Sequence, residues 1–289
     1  MNLTAMGFVL VSALLHAGRD YFIKRGSDKQ VFSWSLRLVG LLFLAPIFFV
    51  YWDGAVPVKA WAFIVASGIV HVLYSYTLAG AYREGDLSLV YPIARSAPVF
   101  VLLWSTLVSR EPITGAGVVG VLVVVIGAFI LQWKQFSWHQ VLSPLRATFR
   151  NASVRLAWAT ALLVATYSLI DDRGVELVDP LIFLFLYAVV TSTLYTLYVL
   201  IARRERIVHE WRRHWRFILP AGVMSPLGYF LALLALRMER VAYVTTVRQV
   251  SIIFGVILGS LLLRESYGRI RFLASAVMFV GMVLIGALG

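Results

Sequence analysis

The chain has 289 residues, 61% hydrophobic and 14% charged, with a formal net charge of +12, against roughly 45–50% and 25% in an ordinary soluble domain. So few charges cannot cover a water-facing surface, and the absence of cysteine excludes disulfide frameworks, thiolate metal sites and cysteine nucleophiles. The basic residues fall in short breaks between apolar runs, so the positive charge reads as membrane topology and not as a nucleic-acid footprint.

A helix rises ~1.5 Å per residue and the hydrocarbon layer is ~30 Å thick, so about 20 apolar residues make one crossing. Runs of that length predict ten helices, over 4–23, 31–51, 60–81, 87–108, 114–133, 154–171, 180–202, 215–237, 241–263 and 269–288. The first run lacks a positive leading region. It ends in His16-Ala17-Gly18-Arg19-Asp20 instead of a small-residue cleavage site, so it is read as a retained span rather than a signal peptide. The longest break, 134–153, places Phe136, Trp138, Val141, Leu142 and Leu145 beside Lys134, Arg146 and Arg150, which suits a helix lying in the membrane interface. That linker divides the chain into a five-helix unit over 1–133 and another over 154–289.

The two units resemble each other. At a constant offset of 154, Ala81, Arg83, Val90, Phe100, Leu107, Arg110, Glu111, Val123 and Gly127 meet the same residue types at Ala235, Arg237, Val244, Phe254, Leu261, Arg264, Glu265, Val277 and Gly281. Apolar matches are cheap in this composition, but the Arg, Arg-Glu and Gly matches are not. The expected fold is an all-α membrane protein whose ten transmembrane helices form two five-helix repeats. An odd helix count inverts one repeat relative to the other, the architecture of many secondary transporters with a site near the midplane. Of the 26 Lys and Arg, counting those within three residues of a span end with the adjoining loop, 17 lie in the loops after odd-numbered helices and 5 in the remaining loops and termini. The positive-inside rule therefore places both termini outward.

The other four, Arg19, Arg37, Arg95 and Arg248, lie inside spans, where each costs about 2.5–3.5 kcal/mol on insertion scales. Arg19 and Arg37 are near enough to helix ends to snorkel. Arg95 and Arg248 are roughly 10–12 Å deep by helical rise and fall within one residue of equivalent places in the repeats, so the two guanidinium groups can face one cavity and grip a carboxylate or phosphate. Pro92 and Pro98 bend the fourth helix and free backbone carbonyls. Tyr91 shares a face with Arg95, and His71 shares one with Tyr74. The repeat equivalents Ser225 and Gly228, beside Tyr229, make the halves chemically unequal. Tyr167 and Tyr229 join the candidate solute-binding set.

On the first helix, His16, Arg19 and Asp20 lie along one stripe. A histidine beside an intramembrane acid can relay protons, or Asp20 simply neutralises Arg19 or Arg37. There is no phosphate loop, dinucleotide fingerprint, HExxH pair or nucleophile elbow. Asp171-Asp172, followed by Arg173, reads as a solvated helix end. No catalytic residue, metal site or cofactor is expected.

The sequence resembles the EamA-type members of the drug/metabolite transporter superfamily. The likeness runs through the ten spans, the SREP (Ser109 to Pro112) and LRES (Leu263 to Ser266) breaks and the glycine-bearing fifth and tenth helices. The opening HAGRDYFIKR is similar to the family's His-Ala-x-Trp-Asn first helix, with Arg19 and Asp20 where Trp and Asn are usual. The resemblance implies export of amino acids or metabolites from a multi-pass position in the inner membrane. It also implies cytoplasmic termini, opposite to the charge count, which is retained because YWDGAVPVKAW lacks the arginines of those relatives. The expected partner is a zwitterionic or anionic small molecule, moved by a monomer in the bilayer without nucleic acid. Two alternatives stay open: an organophosphate or phosphate-bearing lipid carrier as the solute, and a membrane enzyme acting on a lipid phosphate.

Overall fold

The computed structural model describes residues 1–52, 54–84, 90, 93–130, 151–263 and 269–289. The predicted interfacial segment, the LRES break and Tyr91 lie wholly or largely outside them. Eleven α-helices are described: α1 (Leu3–Arg25), α2 (Lys29–Tyr51), α3 (Val58–Glu84), α4 (Ala97–Leu107), α5 (Gly115–Ile130), α6 (Ala152–Leu177), α7 (Pro180–Ala202), α8 (Ile207–Leu236), α9 (Val241–Val247), α10 (Ser251–Leu263) and α11 (Arg269–Leu288).

Local chemistry fixes the starts of these helices. Asn2, Asp28, Asn151 and Asp179 cap α1, α2, α6 and α7, each accepting a backbone N–H from the first turn, which satisfies donors left free at a helix start. In the loop after α4, Arg110 takes a φ of 53° and turns the chain at the SREP break. Among the described residues, six spans are long and apolar enough to cross a bilayer, and Ala97–Leu107, Gly115–Ile130 and Phe272–Leu288 are shorter apolar helices. The chain is therefore a multi-pass membrane protein. Its outer face agrees, with Leu42 73%, Phe49 70% and Ile201 86% exposed, a surface suited to lipid. Helix α1 has the length of a span but carries Arg19 and Asp20.

Two helix boundaries and two helix interiors differ from the sequence expectation. Helix α6 continues to Leu177 instead of stopping at 171, because Gly174 lets Phe183 of α7 pack against its last turn. Helix α8 starts at Ile207 instead of 215, since Trp211 packs on the cluster of Phe32, Leu36 and Ile218. The fourth predicted helix is interrupted at Arg95 and Ser96; Pro98 sits in the first turn of α4, where its missing N–H is harmless. The ninth is interrupted as well, by a 3₁₀ turn over Arg248–Val250 between α9 and α10. At the offset of 154, Arg95 and Ser96 correspond to Gln249 and Val250, so the two interruptions coincide under that offset.

The two units interlock. Helix α1 lies against α8 and α10, α2 against α7 and α8, α3 against α6 and α7, α4 against α6 and α9, and α5 against α11. Exchanging the units, with α1 for α6, α2 for α7, α3 for α8, α4 for α9 and α10, and α5 for α11, maps each of these contacts onto another or onto itself. Atomic detail follows the same exchange. A Cβ on Gly68 would meet Val190 Cγ1 at 2.6 Å and the Tyr187 carbonyl at 3.4 Å, and a Cβ on Gly222 would meet Val39 Cγ1 at 2.5 Å and the Leu36 carbonyl at 3.1 Å. Likewise, a Cβ on Gly281 would meet the Gly120 carbonyl at 2.7 Å, and one on Gly127 the Ala274 carbonyl at 3.0 Å. Small residues thus let backbones touch, the usual source of helix cohesion in lipid, where apolar burial between helices gains little.

Candidate functional site

A narrow cavity of about 60 Å³ lies between the units, with walls from α1 (Ala13, His16), α3 (Tyr74, Leu78), the interruption before α4 (Ala94, Arg95) and α6 (Thr160, Val164, Tyr167, Ser168), completed by Arg248 and Gln249. That volume holds water but not a metabolite, whose sites run to roughly 300–1,000 Å³. A larger depression of about 470 Å³ beside Glu205, His209, Arg212 and Arg213 is an open surface feature. It lacks the buried, converging polar groups of the inner cavity.

The charges around the inner cavity compensate one another in part. Arg19 donates from Nε (3.0 Å) and Nη2 (2.6 Å) to Asp20 Oδ1, and Arg95 Nη2 lies 3.8 Å from Asp20 Oδ2. Asp20 thus offsets Arg19 and Arg95, not Arg37. Arg19 Nη2 is also 3.0 Å from His16 Nε2. Because a guanidinium only donates, His16 accepts there and carries its proton on Nδ1 as a neutral ring. Arg37 turns elsewhere, donating to Ser75 Oγ (2.8 Å) with its guanidinium over the Tyr195 ring. Arg248 lies 5.1 Å over the centre of the Tyr229 ring, a cation–π contact that shelters the charge.

One wall is aromatic. His71 stacks on Tyr167 at 4.1 Å and on Tyr187 at 4.9 Å, and meets Tyr229 edge-on at 5.6 Å; Tyr74 packs edge-on against Tyr167. Beneath these rings lies Asp171, 0% exposed. Ser67 Oγ donates to its Oδ1 at 2.5 Å, and the Tyr229 hydroxyl contacts its Oδ2. His71 Nδ1 donates to the Ser67 carbonyl at 2.9 Å. Helices α3, α6, α7 and α8 therefore meet around one carboxyl group.

Of the residues expected at a site, His16, Tyr74, Arg95, Tyr167 and Arg248 line the cavity, whereas His71 and Tyr229 form the layer behind it. Arg19 and Asp20 stand beside it as an ion pair. The solvated reading of Asp171 is overturned: α6 runs six residues further, which carries this carboxyl into the protein interior. Tyr187 is the residue the sequence does not single out, since nothing distinguishes it in an aromatic-rich apolar run. Among the described residues, no group of three or more His, Cys, Asp or Glu could hold a metal ion.

The model of the EamA-like transporter family matches residues 3–133 and 152–287. No curated protein matches the sequence. Among solved structures, one described as "Crystal structure of protein" has a TM-score of 0.78 at 15% identity, covering 100% of this chain and 99% of that chain, a likeness of fold alone.

Proposed function

Because this chain belongs to the EamA-like transporter family, membrane transporters of the drug/metabolite transporter superfamily, we propose that it exports small amphipathic metabolites bearing a carboxylate, with aromatic amino acids as the type solute. Transport proceeds by alternating access between two five-helix repeats inserted in opposite orientations, in the inner membrane and with both termini outward. The observation carrying this reading is that Arg95 and Arg248 stand at equivalent helix interruptions of the two repeats and line one cavity. Interrupted helices expose backbone polar groups where a solute needs them, and two guanidinium groups supply the anionic subsite. Tyr74 and Tyr167 give apolar faces with polar edges, and the layer of His71 and Tyr229 supports them. The exchange symmetry of the packing supports a two-fold relation between repeats, which makes either end of the cavity able to open by one motion.

The test is Arg95→Ala in proteoliposomes supplied with labelled L-tryptophan. A charged hydrogen bond contributes about 1.5–3 kcal/mol, so transport at sub-saturating solute falls roughly 10- to 150-fold while the protein still inserts. Unchanged flux sinks the role of Arg95. The organophosphate reading is set apart by heat stability of the purified protein: the amino-acid reading expects protection by tryptophan and none by sugar phosphates. Asp20 favours the carboxylate, since it already offsets part of the positive charge that a dianion would need.

A further inference from the structure

We infer that Asp171 is a proton-binding site and that its proton is exchanged for the solute. This deepens the transporter reading and rests on it. The carboxyl is fully buried in the wall between α3, α6, α7 and α8, about 9 Å from the C-terminal end of α6 by helical rise. Among the described residues, no cationic nitrogen lies within ion-pair distance of it. The titratable and charged groups that face it are His71 of α3, Tyr167 and Asp172 of α6, Tyr187 of α7, Tyr229 of α8 and Arg248. Arg248 acts on it only from a distance, seated over the Tyr229 ring and lining the cavity. An ionised carboxylate without a cation at this depth is strongly disfavoured.

The hydrogen bonds suit a proton that comes and goes. His71 Nδ1 donates to the Ser67 carbonyl and leans toward Ser67 Oγ at 3.3 Å, which leaves the serine hydroxyl proton for Asp171 Oδ1. Oδ1 is therefore an acceptor in either state. The contact between Oδ2 and the Tyr229 hydroxyl joins two oxygens, each able to donate. When Asp171 is protonated, Oδ2 donates to Tyr229; when it is ionised, Tyr229 donates to Oδ2. The change of one proton moves no heavy atom.

Cavity size makes this an exchange. In the closed packing the cavity of about 60 Å³ has no room for an amino acid, so the arrangement that buries Asp171 is the one that returns across the membrane without solute, carrying the proton. When the cavity widens and a solute ammonium enters beside its carboxylate on Arg248, that ammonium supplies the missing positive charge and the Asp171 proton leaves. One proton is released for each solute bound, and inward proton flow drives solute outward.

The experiment uses the purified full chain, wild type and Asp171→Asn, an isostere of the protonated acid. An infrared titration in water shows a protonated-carboxyl C=O band near neutral pH that is missing from Asp171→Asn; no such band in the wild type overturns the site. In proteoliposomes with clamped membrane potential and an acidic lumen, the wild type accumulates labelled tryptophan by roughly tenfold per pH unit, the ratio for one proton per solute. Whatever flux Asp171→Asn retains ignores the gradient. Wild-type accumulation indifferent to the gradient, or driven by an alkaline lumen, overturns the exchange. If the wild type moves no tryptophan, the solute reading fails and the infrared band alone decides the proton site.

Discussion

The close approach of Gly68 to α7 and of Gly222 to α2 predicts a matched pair of destabilising substitutions. An alanine Cβ at Gly68 would stand 2.6 and 2.7 Å from Val190 Cγ1 and Cβ, and at Gly222 it would stand 2.5 and 2.6 Å from Val39 Cγ1 and Cβ. Valine Cβ is fixed to the backbone and its χ1 is stiff, so the helices must separate by close to an ångström. Overpacking of this kind costs about 1–3 kcal/mol, partly offset by the ~1 kcal/mol that alanine gains over glycine in a helix. A Cβ added at Gly7 or Gly255 would meet nothing within 4 Å, so alanine there keeps the propensity gain. The propensity gain is common to both classes, so they differ by about 1–3 kcal/mol, or about 2–12 °C at 2–4 °C per kcal/mol for a chain of this size. Thermal unfolding in detergent, followed by tryptophan fluorescence, measures the gap. Adding Val190→Ala to Gly68→Ala, or Val39→Ala to Gly222→Ala, restores about 1 kcal/mol of the loss through direct coupling. If both tight-site variants melt with Gly7→Ala and Gly255→Ala, the packing argument is wrong.

Two further perturbations act on charge. Asp20→Asn leaves Arg19 and Arg95 without their shared carboxylate; the loss is about 1–2 kcal/mol, below the ~3–5 of a buried pair, because the Asp20 side chain is 38% exposed and solvent screens it. Arg19→Gln in the same chain recovers about half of it, and strictly additive losses in melting experiments would count against the pair. Glu210, 1% exposed, accepts the backbone N–H groups of Ser27 (3.0 Å) and Asp28 (2.9 Å). Glu210→Gln turns an amide NH₂ toward one of them, at about 1–3 kcal/mol for an unmet buried donor. Hydrogen exchange should quicken at the Ser27 and Asp28 amides; unchanged protection there would refute the part given to Glu210.

Sequence patterning carries the apolar spans, because lipid demands long apolar runs and loops collect the cations. It also singles out Arg95 and Arg248, since a guanidinium that deep in a span must be compensated by water or by a partner. Asp171 is hidden by its neighbours: Asp172 and Arg173 give the signature of a wet helix end, and only the seating of Phe183 against Gly174 shows that α6 continues. The interruption at Arg95 is blurred by Pro92 and Pro98, which suggest a bend anywhere along the helix. Gly68 and Gly222 are also related by the offset of 154, a signal legible once glycine is weighed for close approach between helices as well as for turns.

The partnership of α1 with α8 bears on biosynthesis. Ser12 Oγ donates to the Gly228 carbonyl at 2.6 Å, across 216 residues of chain. At about 5–20 residues per second, a ribosome needs roughly 10–40 s to make that partner after the first helix emerges. A helix bearing His16, Arg19 and Asp20 must meanwhile wait in the insertion machinery or at the membrane surface, so nascent protein in which α8 is truncated should be a target for quality-control proteolysis.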